Sequence, residues 1–287
     1  MGIYNEEWGL DWRSGLDVEK QQAVIRAYDL LASHDHSRPI IDDSGWNHVK
    51  TDVLDWHYYD NDNQRWRDVT AALAGDNTTW FGHQLGVDHW YETQLCVTGH
   101  EHQEIPLLNG EYGVGGSSDE ERGWYFRWQT QELRRHDAIS GYIYTELYDV
   151  EYELGGLYNA WRQLKSLGYD PAQVINADTV IIFDLVPYSF GLDYIVEQAE
   201  LTIPYQISHQ GSQSIHGQLR YWWEDDSSGA HQQALDIDPY TITALQTLHF
   251  KLPSAQARGR LHVQLLDQHG HCCAYAFLDM ASAREAS

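Results

Sequence analysis

The run Gly2-Ile3-Tyr4-Asn5-Glu6-Glu7-Trp8-Gly9-Leu10-Asp11-Trp12 packs a short apolar segment, an amide, two adjoining carboxylates and two indoles into one stretch. A β-strand that opens into a mouth has this order, with β-branched and aromatic residues inside and a reactive group at the C-terminal tip. Ile105-Pro106-Leu107-Leu108-Asn109-Gly110-Glu111-Tyr112-Gly113 repeats the order: apolar run, carboxylate, aromatic ring, glycine. Two such carboxylates can divide the work of breaking a C–O bond. One, held protonated, releases the leaving oxygen, and the other attacks or activates water. Aromatic rings beside them suit a sugar, whose C–H faces stack on indole while its hydroxyls take hydrogen bonds. Taken alone, the first stretch reads equally well as an exposed acidic turn near a chain terminus. The second carboxylate in a matching context favours chemistry.

Other constellations carry less. His100-Glu101-His102 alternates potential ligands but brings no third one into view, and zinc needs three or four. It reads as a solvated loop, and no metal is expected. Gly113-Val114-Gly115-Gly116-Ser117 lacks the Lys-Ser/Thr of a phosphate-binding loop. No Ser/His/Asp nucleophile elbow is present, and nothing calls for a cofactor.

The elements that must position the two acids follow from periodicity. Apolar residues at Ala23, Val24, Ala27, Leu30 and Leu31 predict a helix over 21–32, and 64–74 and 120–135 predict two more. Between them, Ile40-Ile41, Val53-Leu54 and 139–144 read as strands, so the first half alternates strand and helix as a parallel sheet or barrel does. Residues 75–104 read as a long polar loop. After about residue 172 the pattern changes to short β-type runs at 179–183, 201–207, 218–223, 242–252 and 261–266, with turn residues between them. Strands at this spacing without helices suggest an antiparallel sandwich. The expected organisation is α/β plus all-β: an incomplete (β/α)8 barrel of about five strand–helix units over residues 1–171, then a β-sandwich over 172–287.

Composition narrows the partner. The chain has 287 residues, 42% of them hydrophobic, and a formal net charge of −25. That charge argues against nucleic acid, whose phosphates require a basic surface. No apolar run approaches the ~18 residues of a membrane span, and no secretory leader precedes Gly2. Three cysteines, Cys96 and the neighbours Cys272-Cys273, give no disulfide framework. A cytoplasmic protein with a neutral carbohydrate partner is expected. Among 12 Trp and 19 Tyr, Trp8, Trp12, Tyr58 and Tyr59 lie beside the acids and are candidate sugar platforms.

Asn5-Glu6 followed by Trp8-Gly9 resembles the acid/base motif of glycoside hydrolase family 2, which includes β-galactosidases, β-glucuronidases and β-mannosidases. Glu111-Tyr112-Gly113 resembles its nucleophile motif. Between them, Arg38-Pro39-Ile40-Ile41-Asp42-Asp43-Ser44-Gly45-Trp46 and Asp55-Trp56-His57-Tyr58-Tyr59 resemble the next two strand ends of that family's barrel. Glu132-Leu133-Arg134-Arg135-His136 and 141–151 resemble its last helix and strand, so the likeness runs in order from residue 1 to about 170.

The resemblance implies a retaining β-glycosidase in which Glu111 is the nucleophile and Glu6 the acid/base. Glu7 adjoins Glu6, but consecutive strand residues face opposite ways, and the family motif puts the acid directly after the asparagine. Asn5, Trp8, His57, Tyr59, Tyr112 and Glu146 are the implied substrate-binding residues, with Tyr59 or Tyr112 steadying the nucleophile. Gly155-Gly156-Leu157 and Tyr158-Asn159-Ala160-Trp161-Arg162 depart from the family pattern. In the family three strands precede the acid/base strand, so the chain reads as the C-terminal part of a larger enzyme. Exposed strand edges are then expected to self-associate or to need the missing N-terminal portion in trans. The alternative is a catalytically inactive remnant that binds carbohydrate or a partner chain.

Overall fold

A computed structural model describes residues 1–6, 17–76, 80–84, 90–101, 104–113, 118–197, 200–224, 226–252 and 258–282. Two contact-dense units divide it: 1–117 with 136–165, and 118–135 with 166–287. Trp8 and Trp12 lie outside the described residues.

The first unit is built from parallel strands joined by helices. β1 (Gly2–Asn5) leads to α1 (Val18–His34), β2 (Ile41–Ser44), β3 (Leu54–Tyr58) and α2 (Asn63–Gly75). β4 (Trp80–Gln84) and β5 (Trp90–Gln94) follow, then β6 (Leu107–Tyr112). Helix α3 (Asp119–Arg134) intervenes in sequence before β7 (Ile139–Tyr144). β1 pairs in parallel with β2, and β3, β6 and β7 form a parallel three-stranded sheet. Parallel neighbours need crossover connections, which the helices supply. Asp17, Asp62 and Ser118 cap the three helices by accepting N–H bonds from Lys20, Arg65 and Glu121, which fixes where each begins.

Two expectations change here. The stretch read as a long polar loop contains the antiparallel pair β4–β5, whose signal in the sequence is the aromatic start of each strand, Trp80-Phe81 and Trp90-Tyr91. On α1, Val24 is buried but Leu30 is 64% exposed. Period identifies the helix without fixing how much of its stripe finds a partner.

Among the described residues, the second unit gathers α3, a short helix α4 (Pro171–Val174) and nine strands. These are β8 (Thr179–Phe183), β9 (Tyr194–Val196), β10 (Glu200–His209), β11 (Ile215–Trp223), β12 (His231–Ile237), β13 (Thr241–Ile242), β14 (Gln246–Lys251), β15 (Arg258–Asp267) and β16 (Cys272–Ser282). One sheet has the order β13-β10-β14 with β8 also on β10, and the other runs β12-β11-β15-β16-β9. All pairs are antiparallel except β16–β9. Residues from both sheets share one apolar cluster, among them Ile181, Ile203, Ile207, Leu219, Leu248, Val263 and Leu278. Alternating residues of the long strands supply it, Leu201, Ile203, Tyr205 and Ile207 on β10 and Leu261, Val263 and Leu265 on β15, as period-two patterning requires.

The sequence places α3 in the first half of the chain, yet it groups with this second unit. Trp124 Nε1 and Arg127 Nη2 both donate to Asp193, and Arg127 Nη1 donates to the carbonyl of Phe277. Arg134 donates to the carbonyls of Ile175, Ala177 and Asp178. Buried guanidinium groups demand such partners, and here the second unit provides them. Among the described residues no helix is long and apolar enough to cross a membrane.

Candidate active site

The site lies in the first unit, at the C-terminal ends of its parallel strands. The Glu6 N–H donates to Ser44 O at 2.8 Å, holding the tip of β1 against the end of β2. The His57 N–H donates to Gly45 O at 3.2 Å, which ties the end of β2 to β3. β3 then pairs with β6 from Leu54↔Leu107 to Tyr58↔Tyr112, so His57 sits opposite Glu111. Glu6 takes a left-handed φ of 50°, a conformation costly for a non-glycine residue and often concentrated at functional sites.

Three side chains converge. His57 Nδ1 lies 2.8 Å from Glu6 Oε1 and 3.5 Å from Glu111 Oε2, and one ligand atom from each of the three lies within 4.8 Å of the others. His57 has no exposed surface, whereas Glu6 and Glu111 are 29% and 25% exposed. The acids therefore face an opening and the imidazole sits behind them. Tyr59 donates its hydroxyl to Glu111 Oε2 at 2.7 Å. Although 41% of Tyr59 is open, burial around its hydroxyl, and then the bond to Glu111, push its pKa up. It remains a donor throughout the ordinary pH range.

This cluster suits proton exchange better than metal binding. Ligands of a tetrahedral zinc site, at bonds of about 2.0–2.1 Å, stand about 3.3 Å apart. The 2.8 Å between His57 and Glu6 is a hydrogen-bond distance. At the other candidate, Glu101 Oε1 accepts the Gly99 N–H, and His102 lies outside the described residues.

Behind the acids lies a second layer that the sequence reading did not assign to the site. Ser44 Oγ lies 2.9 Å from His57 Nε2 and donates to Asp55 Oδ2. Burial pushes the Asp55 carboxyl up, while the Ser44 hydrogen bond, the charges of His57 and His48 and the Gly110 N–H pull the other way without overcoming it. Gly110 has to be glycine, because a Cβ there would lie 2.1 Å from Asp55 Oδ1. Next to Asp55, the fully buried Asp42 and His48 form a pair at 2.7 Å, and His48 Nε2 lies 2.7 Å from the Asp55 carbonyl oxygen and 2.8 Å from the Asp55 backbone nitrogen. Burial opposes charge on both. Mutual attraction overcomes it, with the Val49 and Lys50 N–H groups adding to Asp42's side, so Asp42 is lowered and His48 raised. Polar residues closing short apolar runs, as in Asp42-Asp43-Ser44, were the available signal for this layer.

The implied substrate contacts separate. Asn5 is exposed at the end of β1. Glu146 follows β7, partly buried, its carboxyl pushed up by burial and then by Glu153 and Asp149. Tyr112 is a correction: its ring is fully buried, edge-on to Tyr142 and Tyr144 and tilted against Trp66. Successive strand residues face opposite ways, so with Glu111 toward the opening Tyr112 points into the packing. Tyr58 is corrected for the same reason, since it is buried and stacked on Trp66 at 5.4 Å. His57, expected at a sugar, has no exposed surface and instead bridges the acids. Trp8 lies outside the described residues.

No family model matches the chain, and no curated protein matches it. Solved structures do. A β-D-mannosidase from Dictyoglomus thermophilum is 11% identical over 56% of this chain and 18% of its own, with a TM-score of 0.42. Bacteroides uniformis β-glucuronidase 2, solved covalently bound to cyclophellitol-6-carboxylate aziridine, is 15% identical over 98% of this chain and 34% of its own, also at 0.42. The endo-β-1,4-mannanase of Thermotoga petrophila is 11% identical over 94% of this chain and 62% of its own, at 0.34. The chain thus spans about a fifth to a third of the length of the mannosidase and glucuronidase it resembles.

Proposed function

We propose that the chain carries both catalytic carboxylates of a retaining β-glycosidase of the glycoside hydrolase family 2 type. Ionised Glu111 attacks the anomeric carbon while Glu6 protonates the leaving oxygen, and Glu6 then takes a proton from the water that releases the sugar. The observation that carries this reading is the meeting of Glu6 and Glu111 from distant parts of the sequence, with an oxygen of each within 4.8 Å. Retaining pairs stand about 5–5.5 Å apart, and inverting pairs about 6.5–9.5 Å. The Tyr59 hydroxyl on Glu111 supports the nucleophile assignment, because it stabilises the ionised form. In this reading the parallel strands of the first unit are the later strands of an incomplete (β/α)8 barrel, and the two sheets of the second unit are a β-sandwich.

The test is covalent trapping. Cyclophellitol aziridines of gluco, galacto, manno and glucurono configuration are incubated with the full chain, and the labelled peptide is identified by mass spectrometry. Labelling at Glu111, absent in Glu111→Gln, is expected. Labelling elsewhere, or by no member of the panel, overturns the reading.

A second reading has its own observation. Leu147, Val150, Tyr152, Leu154, Trp161 and Leu164 are all exposed along one segment, Tyr152 to 85% and Trp161 to 80%. Such a patch suits association with carbohydrate or a partner chain. Glycan or chain binding without trapping by any aziridine favours it.

A further inference from the structure

A hydrogen-bonded chain runs from Glu6 away from the opening. Glu6 Oε1 meets His57 Nδ1, His57 Nε2 meets Ser44 Oγ, and the Ser44 hydroxyl meets Asp55 Oδ2. The His57 and Asp55 side chains are 0% and 2% exposed, so the inner end is closed to water, while Ser44 is partly buried and Glu6 opens outward. Three separate elements, the tip of β1, the end of β2 and β3, each contribute a link. Resting on the reading of Glu6 as the acid/base, we propose that Asp55, Ser44 and His57 form a proton relay ending on Glu6, with Asp55 as its proton store.

Such a chain has two polarities. In the first, Asp55 carries the proton and donates to Ser44, Ser44 donates to His57 Nε2, and His57 Nδ1–H donates to an ionised Glu6. In the second, Glu6 carries the proton and donates to Nδ1, His57 Nε2–H donates to Ser44, and Ser44 donates to an ionised Asp55. Passing from first to second breaks the Asp55 O–H, Ser44 O–H and His57 Nδ1–H bonds. It makes a new Ser44 O–H, a His57 Nε2–H and a Glu6 O–H. One proton moves in net, and no co-reactant is consumed.

The surroundings fit this exchange. Glu111 Oε2, 3.5 Å from Nδ1, adds negative charge beside the outer end and is itself held by Tyr59. At the inner end the Asp42–His48 pair neutralises itself, and His48 hydrogen-bonds the Asp55 backbone rather than its carboxyl. Burial raises the Asp55 carboxyl, as a store requires. Retention needs Glu6 neutral when the leaving oxygen departs and ionised when water arrives. A sugar in the opening cuts Glu6 off from solvent, and the relay reaches it from the protein side. Asp55, Ser44 and His57 are therefore positioning residues that act through Glu6.

Asp55→Asn tests this with little change in size. The amide cannot pass a proton, so whichever of its ends meets Ser44, the chain is fixed in one polarity. In histidine-¹⁵N-labelled full chain, with His57 assigned through His57→Gln, the wild type should populate both the Nδ1–H and the Nε2–H form. Asp55→Asn should hold His57 in a single tautomer from pH 5 to 8. Turnover of alkyl β-glycosides, which need a proton, should fall about 100-fold, the scale of general acid catalysis, and the first step with 2,4-dinitrophenyl glycosides far less. Ser44→Ala interrupts the wire, so adding Asp55→Asn to it should change neither readout further. An unchanged His57 tautomer in Asp55→Asn, or an Asp55→Asn effect undiminished on the Ser44→Ala background, overturns the relay. The NMR readout needs no turnover. A chain that hydrolyses nothing sinks the glycosidase reading, while the tautomer still decides the relay.

Discussion

Gly110→Ala should destabilise the first unit and disorder its acids, and the cause is space rather than backbone strain. Gly110 lies inside β6, and a Cβ there would approach Asp55 Oδ1 to 2.1 Å and Cγ and Oδ2 to 2.6 Å each. Ordinary contact begins near 3.4 Å, so one group must retreat by about 1.3 Å. Asp55 cannot retreat freely, because it is buried and its carboxylate is held by Ser44. Overpacking of this kind costs about 1–3 kcal/mol, and losing a hydrogen bond to a charged group about 1.5–3 kcal/mol. A loss of about 2.5–6 kcal/mol follows, a large share of the roughly 5–15 kcal/mol that holds a typical domain folded. Urea denaturation followed by circular dichroism measures it. Asp55→Ala removes the obstructing carboxylate, so the double variant should lose clearly less than the sum of the two single variants. A Gly110→Ala loss below about 1 kcal/mol, or strict additivity with Asp55→Ala, refutes the reasoning.

Tyr59→Phe removes the hydroxyl that Glu111 accepts at 2.7 Å. At about 1.5–3 kcal/mol for a charge-assisted bond, kcat on nitrophenyl glycosides should fall roughly 10- to 150-fold. The Asp42–His48 pair makes stability depend on pH. Asp42 is lowered from 3.8, so its contribution disappears as pH falls below 3.8; His48 is raised from 6.5, so its contribution fades as pH climbs above 6.5. The stability gap between wild type and Asp42→Asn, read from denaturation midpoints, should therefore be widest between about pH 4 and 6.5. In the second unit, Arg127→Met leaves Asp193 buried without its guanidinium, and should cost about 3–5 kcal/mol in thermal or urea unfolding. Glu6→Gln should spare the first step of substrates with good leaving groups and respond to azide in the second, whereas Glu111→Gln should be inactive on all of them.

The local pattern of the chain carried much of this. The runs ending at Glu6 and Glu111 each read as a strand tip with an acid, and it is their matching order, rather than either run alone, that favours this over an exposed acidic turn. Strands β7 and β8 appear residue for residue where their β-type runs predict them, and the three long helices begin within a few residues of their predicted starts. β12 and β16 were not legible. β12 (His231–Ile237) is an edge strand rich in polar residues, and β16 begins with the small residues Cys272-Cys273-Ala274, which carry little β signal.

What the sequence could not settle was which side chains face one another, since that depends on packing between residues far apart in the chain. Period alone does not say that Tyr59, and not Tyr112, reaches Glu111, nor that His57 turns inward to join Ser44 and Asp55. It also cannot assign α3 to the second unit, whose Asp193 and backbone carbonyls accept hydrogen bonds from the buried Arg127 and Arg134. The glycine at 110 was visible from the start. The carboxylate that requires it to be glycine became visible only once β3 lay beside β6.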